Sequence, residues 1–336
     1  MTDVLIIGGG IIGLSIAWEL SLVGAEVTII ERNTCGMGAT WAAAGMLAPQ
    51  AERLSGNLLD LALRSRGLYP NWISKLQGLT GMECGYWQCG ILSPYMNEVL
   101  VWKHNLQNLP QYCDRQQVKA MQSGLSHNVV GGLWFDQDAQ VDNRALAQVL
   151  LAALRQNSVK ILEGVSVYSI ATDHHHVTQL VTSQGNIQGD RYILATGAWT
   201  KELIPLPISP RKGQMLSVFD PNRSLKTVLF SDDVYIVPRL DGRIIIGASV
   251  EDVGFLAGNT AKGIATLLNN AIRLYPAIAN MNIQSTWWGF RPHAPEEIPI
   301  LEICPKYSNL ILATGHYRNG ILLAPVTASL IADLLK

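Results

Sequence analysis

Val4-Leu5-Ile6-Ile7-Gly8-Gly9-Gly10-Ile11-Ile12-Gly13 lies near the start of the 336-residue chain, and its reading decides the fold. An apolar run that ends in glycine fits a parallel strand buried on both faces. Helical spacing follows from Ile12 through Leu20, and Gly24 stops it. Val27 to Glu31 then reads as a second strand ending in an acid, which completes a βαβ unit. In Gly8-x-Gly10-x-x-Gly13, the first glycine allows the tight turn, the second lets backbone approach a pyrophosphate, and the third permits close helix–strand packing. The anion then lies at the positive end of a helix. Glu31, 18 residues beyond Gly13, stands where a carboxylate accepts hydrogen bonds from a ribose diol, with Arg32 beside it. The glycine pattern alone is a weak signal; with strand, helix and distant acid in place it reads as a dinucleotide site.

A second strand–glycine–helix turn appears close to the other end, at Leu310-Ile311-Leu312-Ala313-Thr314-Gly315-His316-Tyr317-Arg318-Asn319-Gly320. A nicotinamide enzyme has no recurrent need for a second such turn, whereas FAD has a second polar end to hold. Amides of Asn319, Gly320, Ile321 and Leu322 are expected to start a last helix, with Pro325 in its first turn. The positive end of that helix would face the pyrimidine edge of a flavin. Arg318 stands where a substrate anion could sit. Between the two turns, Gly38 to Met46 is small and nearly free of side chains, which permits close approach by a flat ligand.

Apolar residues make up 48% of the chain and charged residues 15%, with a formal net charge of -1. These values fit a well-buried protein large enough for two domains, and the lack of a basic stripe argues against nucleic-acid binding. No apolar run approaches the roughly 20 residues of a membrane span, and the N-terminal run lacks the flanks of a signal peptide. The expected setting is the cytoplasm. The five cysteines, Cys35, Cys84, Cys89, Cys113 and Cys304, fit neither a CxxC nor a zinc spacing and read as reduced packing residues. His174-His175-His176 reads as a solvated hairpin tip rather than a metal site.

Leu58 to Leu76 is expected to be helical, as is Arg144 to Arg155 with Asp142 as cap. From Gly81 to about Asp138 the texture changes to short strands, aromatics and turns. Strand-like segments follow at 160–162, 165–167, 176–181, 186–187 and 191–199. Residues 206–285 alternate strands with turns around one helix, about Lys262 to Leu274. The expectation is an α/β protein, α+β overall. A Rossmann-like FAD-binding domain (1–80, 140–205 and 286–336) is interleaved with a largely antiparallel β-sheet substrate domain (81–139 and 206–285).

Taken together, the GxGxxG–Glu31 unit, Gly38 to Met46, Leu194-Ala195-Thr196-Gly197-Ala198-Trp199 and Gly315 to Ile321 resemble the D-amino-acid oxidase (DAO) family of flavoenzymes. Gly315 to Pro325 and Ala42-Ala43-Ala44-Gly45-Met46-Leu47 resemble its glycine oxidase branch in particular. The resemblance spans essentially the whole chain. It implies noncovalent FAD, because the cysteine that carries covalent flavin in sarcosine oxidases would align near Arg291, where no cysteine occurs. It places Gly8, Gly10, Ile11, Ile12, Gly13, Glu31, Arg32, Ala39 and Thr40 along the dinucleotide. Ala44, Gly45, Met46, Thr196, Gly197 and His316 to Leu322 would lie nearer the flavin, and Val167 near the adenine. Arg318 is expected to clamp the substrate carboxylate, with Arg291 and the Tyr235 hydroxyl nearby. Asp233 and Val250 depart from the family pattern, which leaves substrate preference open.

The function so implied is oxidative deamination of glycine, sarcosine and small D-amino acids, with O2 reduced to H2O2. The imine would supply the thiazole of thiamine, with a thiazole synthase as a possible partner and a homo-oligomer as the assembly. Hydride transfer needs orientation more than a protein base, and the chain offers no obvious catalytic acid or histidine. Two alternatives remain: a D-amino-acid dehydrogenase that feeds a quinone or carrier, and a flavin-binding partner subunit without turnover.

Overall fold

The computed structural model describes residues 3–96 and 110–335. The rest of the expected 81–139 segment, residues 97–109, lies outside the described residues. Asp3–Ile7 sits centrally in a six-stranded sheet, parallel to Glu26–Glu31 on one side and to Arg191–Leu194 on the other. Lys160–Glu163 and Leu310–Thr314 extend this sheet in parallel, and Ile300–Ile303 closes one edge antiparallel. The first helix, Ile11–Leu22, is apolar all round and buried from Ile11 to Trp18. Such a helix has no face for water. It packs on one face of the sheet with the helices Gly56–Thr80, Asn143–Gln156 and Gly320–Leu334. The other face is covered by the three-stranded sheet Val167–Asp173, His176–Thr182 and Gly185–Ile187. Asp142 accepts from the Arg144 and Ala145 amides and caps the Asn143–Gln156 helix.

The second large sheet has eight strands. Its pairs are antiparallel except for Val228–Phe230 beside Ile91–Tyr95. Its longest pair, Ser209–Phe219 with Asn282–His293, stays in register through a facing Gly213–Gly289 pair. The parallel sheet therefore draws its strands from 1–80, 140–205 and 286–336. The antiparallel one draws from 81–139, 206–285 and the Asn282–His293 strand, so the expected boundary at 286 falls inside that strand.

Several local expectations need correction. The strand expected at 165–167 is Val167–Asp173, whose half-exposed residues carry little apolar signal. The strand after Arg191 ends at Leu194, and a 3-10 turn, Gly197–Glu202, follows. A short helix, Arg115–Met121, opens with a reciprocal Asp114–Gln117 capping box but is too polar for periodicity to reveal. His174, at φ 49°, turns the hairpin between two strands of the three-stranded sheet.

Pro325 is the sixth residue of the last helix, beyond its first turn. Its missing N–H frees the Ile321 carbonyl, and the Tyr69 hydroxyl donates to that oxygen. One position on, Ser65 donates to the Leu322 carbonyl at 2.7 Å and accepts from the Val326 amide at 3.3 Å. The Gly56–Thr80 helix thus supplies the bonds that the proline takes away.

Candidate functional site

The backbone of the first turn explains its glycines. Gly8 has φ 111°, and a Cβ there would run into the Ala195 carbonyl. A Cβ on Gly13 would strike the Gly8 carbonyl, so Gly13 serves the close approach of helix to strand. Gly10 differs: its nearest neighbour for a Cβ is the Thr40 hydroxyl at 3.5 Å, which leaves an open cradle at the helix N-terminus. The Ile11 amide donates to Thr40 Oγ1 at 2.8 Å. Glu31 accepts from the Gly9 amide at 2.8 Å and from the Asn33 amide at 2.9 Å. An ionised carboxylate has about four lone-pair sites, so capacity remains for a ribose diol.

Both glycine turns open onto one cavity of about 940 Å³. That exceeds what a small amino acid needs and suits a dinucleotide together with a small substrate. Its wall includes Gly8, Gly10, Ile11, Ile12, Glu31, Arg32, Ala39, Thr40, Ala44, Gly45, Met46, Val167, Thr196 and Gly197. From the second turn come His316, Tyr317, Arg318, Gly320 and Ile321, and from the antiparallel sheet Tyr235 and Arg291. Three expected contacts are not on that wall. Gly13 packs beneath the turn, Leu322 belongs to the apolar core, and Asn319 is buried with its Nδ2 lacking a hydrogen-bond partner.

The Ala44–Met46 segment is fixed from behind. Gly45 has φ 70°, and a Cβ there would collide with the Val141 carbonyl, whose own amide donates to Gly45 O at 2.9 Å. Arg239 is buried; it donates to Ala44 O at 2.8 Å and Asn143 Oδ1 at 3.0 Å, and also to Gln140. Burial pulls its guanidinium down to about 10. Trp287 donates to Ala42 O at 3.0 Å, tying the same segment to the antiparallel sheet. Sequence reading gave Arg239 no role, because nothing in its own neighbourhood separates it from a solvated arginine.

In the second turn, Gly315 and Tyr317 both take left-handed conformations, at φ 78° and 48°. The Tyr317 amide donates to Pro292 O at 2.9 Å, and its ring meets His293 edge-on at 4.9 Å. These contacts lock the turn against the strand that carries Arg291. His316 is buried, 3.0 Å from the Thr327 hydroxyl, and desolvation lowers its pKa to about 3. It is neutral at physiological pH and supplies no charge to the site.

The two arginines differ. Arg318 is half-exposed and ion-paired: its Nε lies 3.3 Å from Glu52 Oε2 and an Nη lies 3.6 Å from Glu297. Arg291 lies over Gly213, where a Cβ would come within 2.5 Å of its Nη1, and donates to Ser249 O at 3.1 Å. Beside it stands Tyr235, whose hydroxyl donates to Met215 Sδ at 3.2 Å. Burial raises the Tyr235 pKa, with the Arg291 guanidinium opposing it, so the phenol is a neutral donor. Glu52 also lines the cavity and was not anticipated. It follows the small-residue run, and only the folded structure carries it inward. Burial raises its carboxyl to about 7, opposed by Arg318 and Arg291.

The FAD dependent oxidoreductase family, DAO, matches residues 3–334. The bifunctional protein ThiO/ThiG of Trichormus variabilis is 50% identical over 99% of this chain and 52% of its own length. This chain thus spans about half the length of such curated relatives. The glycine oxidase of Pseudomonas aeruginosa is 34% identical over 99% of this chain and 94% of that protein. Among solved structures, the glycine oxidase of Geobacillus kaustophilus superposes with a TM-score of 0.93 at 32% identity, covering 100% of this chain and 95% of that one.

Proposed function

This chain belongs to the DAO family of FAD-dependent oxidoreductases, and we propose that it oxidises the amine of glycine and other small amino acids, sarcosine and small D-amino acids included. The overall change is glycine, O2 and water to glyoxylate, ammonia and H2O2. The observation that carries this reading is a guanidinium without an acid in ion-pair contact and a neutral phenol, Arg291 and Tyr235, lining the same cavity as the two glycine turns. When bound, FAD supplies a two-electron acceptor. The Gly8–Ile12 turn and Glu31 would hold its pyrophosphate and ribose, and the amides at the start of the last helix would offer donors to its ring.

Arg291 can donate two parallel N–H bonds to a carboxylate. Tyr235 adds a third donor and fixes the carboxylate in rotation. A small amino acid anchored in this way, with its amine neutral, would present its Cα to the cavity. Such positioning is the main contribution the chain makes to rate. His316, neutral and bonded to Thr327, moves no proton at physiological pH. On this reading Arg291, rather than Arg318, is the principal carboxylate ligand, because Arg318 already has Glu52 and Glu297 as ion-pair partners. The relatives named ThiO/ThiG support a partnership with a thiazole synthase that consumes the imine before it hydrolyses.

The test is oxygen consumption with coupled peroxide detection across glycine, sarcosine, D-alanine, D-proline and L-amino acids. Glycine or sarcosine should give equal O2 uptake and H2O2. Lack of uptake with every amine overturns the oxidase reading. Arg291→Ala should raise KM for glycine about 10- to 150-fold, the loss of a charged hydrogen-bond pair worth about 1.5–3 kcal/mol. An unchanged KM would move the carboxylate site elsewhere.

A further inference from the structure

The substrate end of the cavity holds two guanidinium groups, and they are not equally available. Arg291 bonds a backbone carbonyl and feels the Glu52 charge only at longer range, whereas Arg318 is ion-paired with Glu52 at 3.3 Å and Glu297 at 3.6 Å. The Glu52 side chain is only 10% exposed, and its Oε2 lies in the cavity wall without a hydrogen-bond donor aligned to it. A nearly buried carboxylate held by charge alone, without hydrogen bonds to its oxygen, is costly to keep ionised. Its position decides what Arg318 presents to a ligand. With Glu52 charged, the Arg318 side of the cavity carries no net attraction for an anion, and a second ligand carboxylate there would meet a fixed negative charge.

We propose that Glu52 is a specificity-determining residue: it masks Arg318, leaves the cavity with one working anion site, and confines ligands to those with a single carboxylate. This rests on the reading of Arg291 and Tyr235 as the carboxylate anchor. Glu52→Gln keeps the size of the side chain, removes the charge, and converts Arg318 into a second anion site. Malonate and acetate are suitable probes, because both bind without being oxidised and differ by one carboxylate.

Their dissociation constants are measured on the holoenzyme at pH 8 by perturbation of the flavin absorbance. In the parent protein acetate should bind more tightly than malonate. In Glu52→Gln the malonate constant should fall 10-fold or more, and the acetate constant, which gains only the longer-range relief at Arg291, should fall by a clearly smaller factor. The double variant Glu52→Gln/Arg318→Met should lose the gain in malonate affinity. Oxidation of N-(carboxymethyl)glycine relative to sarcosine should follow the same order. Equal tightening of acetate and malonate would show a general charge effect and overturn the masking role, as would a malonate gain that survives loss of Arg318. Failure of the parent protein to bind acetate, with no change on Arg291→Ala, would instead reject the anchor on which this inference rests.

Discussion

The proline in the last helix makes a prediction that no surface argument would give. Tyr69→Phe removes one hydroxyl from a fully buried ring and leaves the packing unchanged. The lost atom is the donor to the Ile321 carbonyl, which Pro325 cannot serve. That oxygen becomes a buried acceptor without a partner, at a cost of about 1–3 kcal/mol. Ser65→Ala looks more severe, because Ser65 bonds both Leu322 O and the Val326 amide. Yet those two groups are an ordinary i, i−4 pair and can bond each other once the serine is gone. The expected order is therefore Tyr69→Phe worse than Ser65→Ala. Adding Pro325→Ala to Tyr69→Phe restores an N–H for Ile321 and should recover about 1 kcal/mol, seen as coupling in a double-mutant cycle. Urea unfolding of the holoenzyme reads these differences as shifts in midpoint with an unchanged slope. Equal costs for the two single variants, or no relief from Pro325→Ala, would refute the account of this helix.

Gly45→Ala places a Cβ into the Val141 carbonyl at φ 70° and should lower FAD occupancy of the purified protein several-fold, measured by the ratio of 450 nm to 280 nm absorbance; full occupancy would mean that the Ala44–Met46 segment does not contact the flavin. The buried ionisable groups set a pH dependence of known sign. Glu52 is raised from 4.5 to about 7, so its stabilisation is complete below 4.5 and is lost as pH rises through 7. Glu52→Gln should therefore gain stability on the parent at pH 8, by at most about 3.5 kcal/mol at about 1.4 kcal/mol per pH unit, and lose that advantage near pH 4. Asp138, raised to about 6 by burial, acts in the same sense. His316, lowered to about 3, acts oppositely, with stability lost as pH falls below 6.5. Both remain in the variant, so the difference between the two unfolding curves isolates Glu52.

The parts of the fold written in local pattern were legible. Asp3 to Glu31 combines an apolar strand, a glycine turn, helical spacing and a terminal acid, and each cue depends only on neighbours in sequence. The same holds for Leu310 to Gly320, which the structure brings to the cavity beside the first turn, with Gly320 close to Ile11. Features that depend on contacts distant in sequence were not legible. Glu52 and Arg239 look like any charged residue on a loop or strand end. Their roles arise because Arg318, 266 residues beyond Glu52, and Ala44, 195 residues before Arg239, fold against them. Pro325 was visible, but not its consequence, since the donors that replace its N–H come from a helix some 250 residues earlier. The division of labour between Arg291 and Arg318 was hidden for the same reason: sequence shows two arginines, and only the structure shows which one has acids beside it.

The central claim is that one cavity holds a flavin and a small amino acid together, with Arg291 and Tyr235 fixing the carboxylate. Rapid anaerobic mixing of the purified holoenzyme with glycine, followed at 450 nm, tests it most directly. The account predicts bleaching of the oxidised flavin at a rate that saturates with glycine, and an apparent dissociation constant at least 10-fold weaker in Arg291→Ala. A flavin that stays oxidised with glycine and sarcosine at saturating concentration would contradict it.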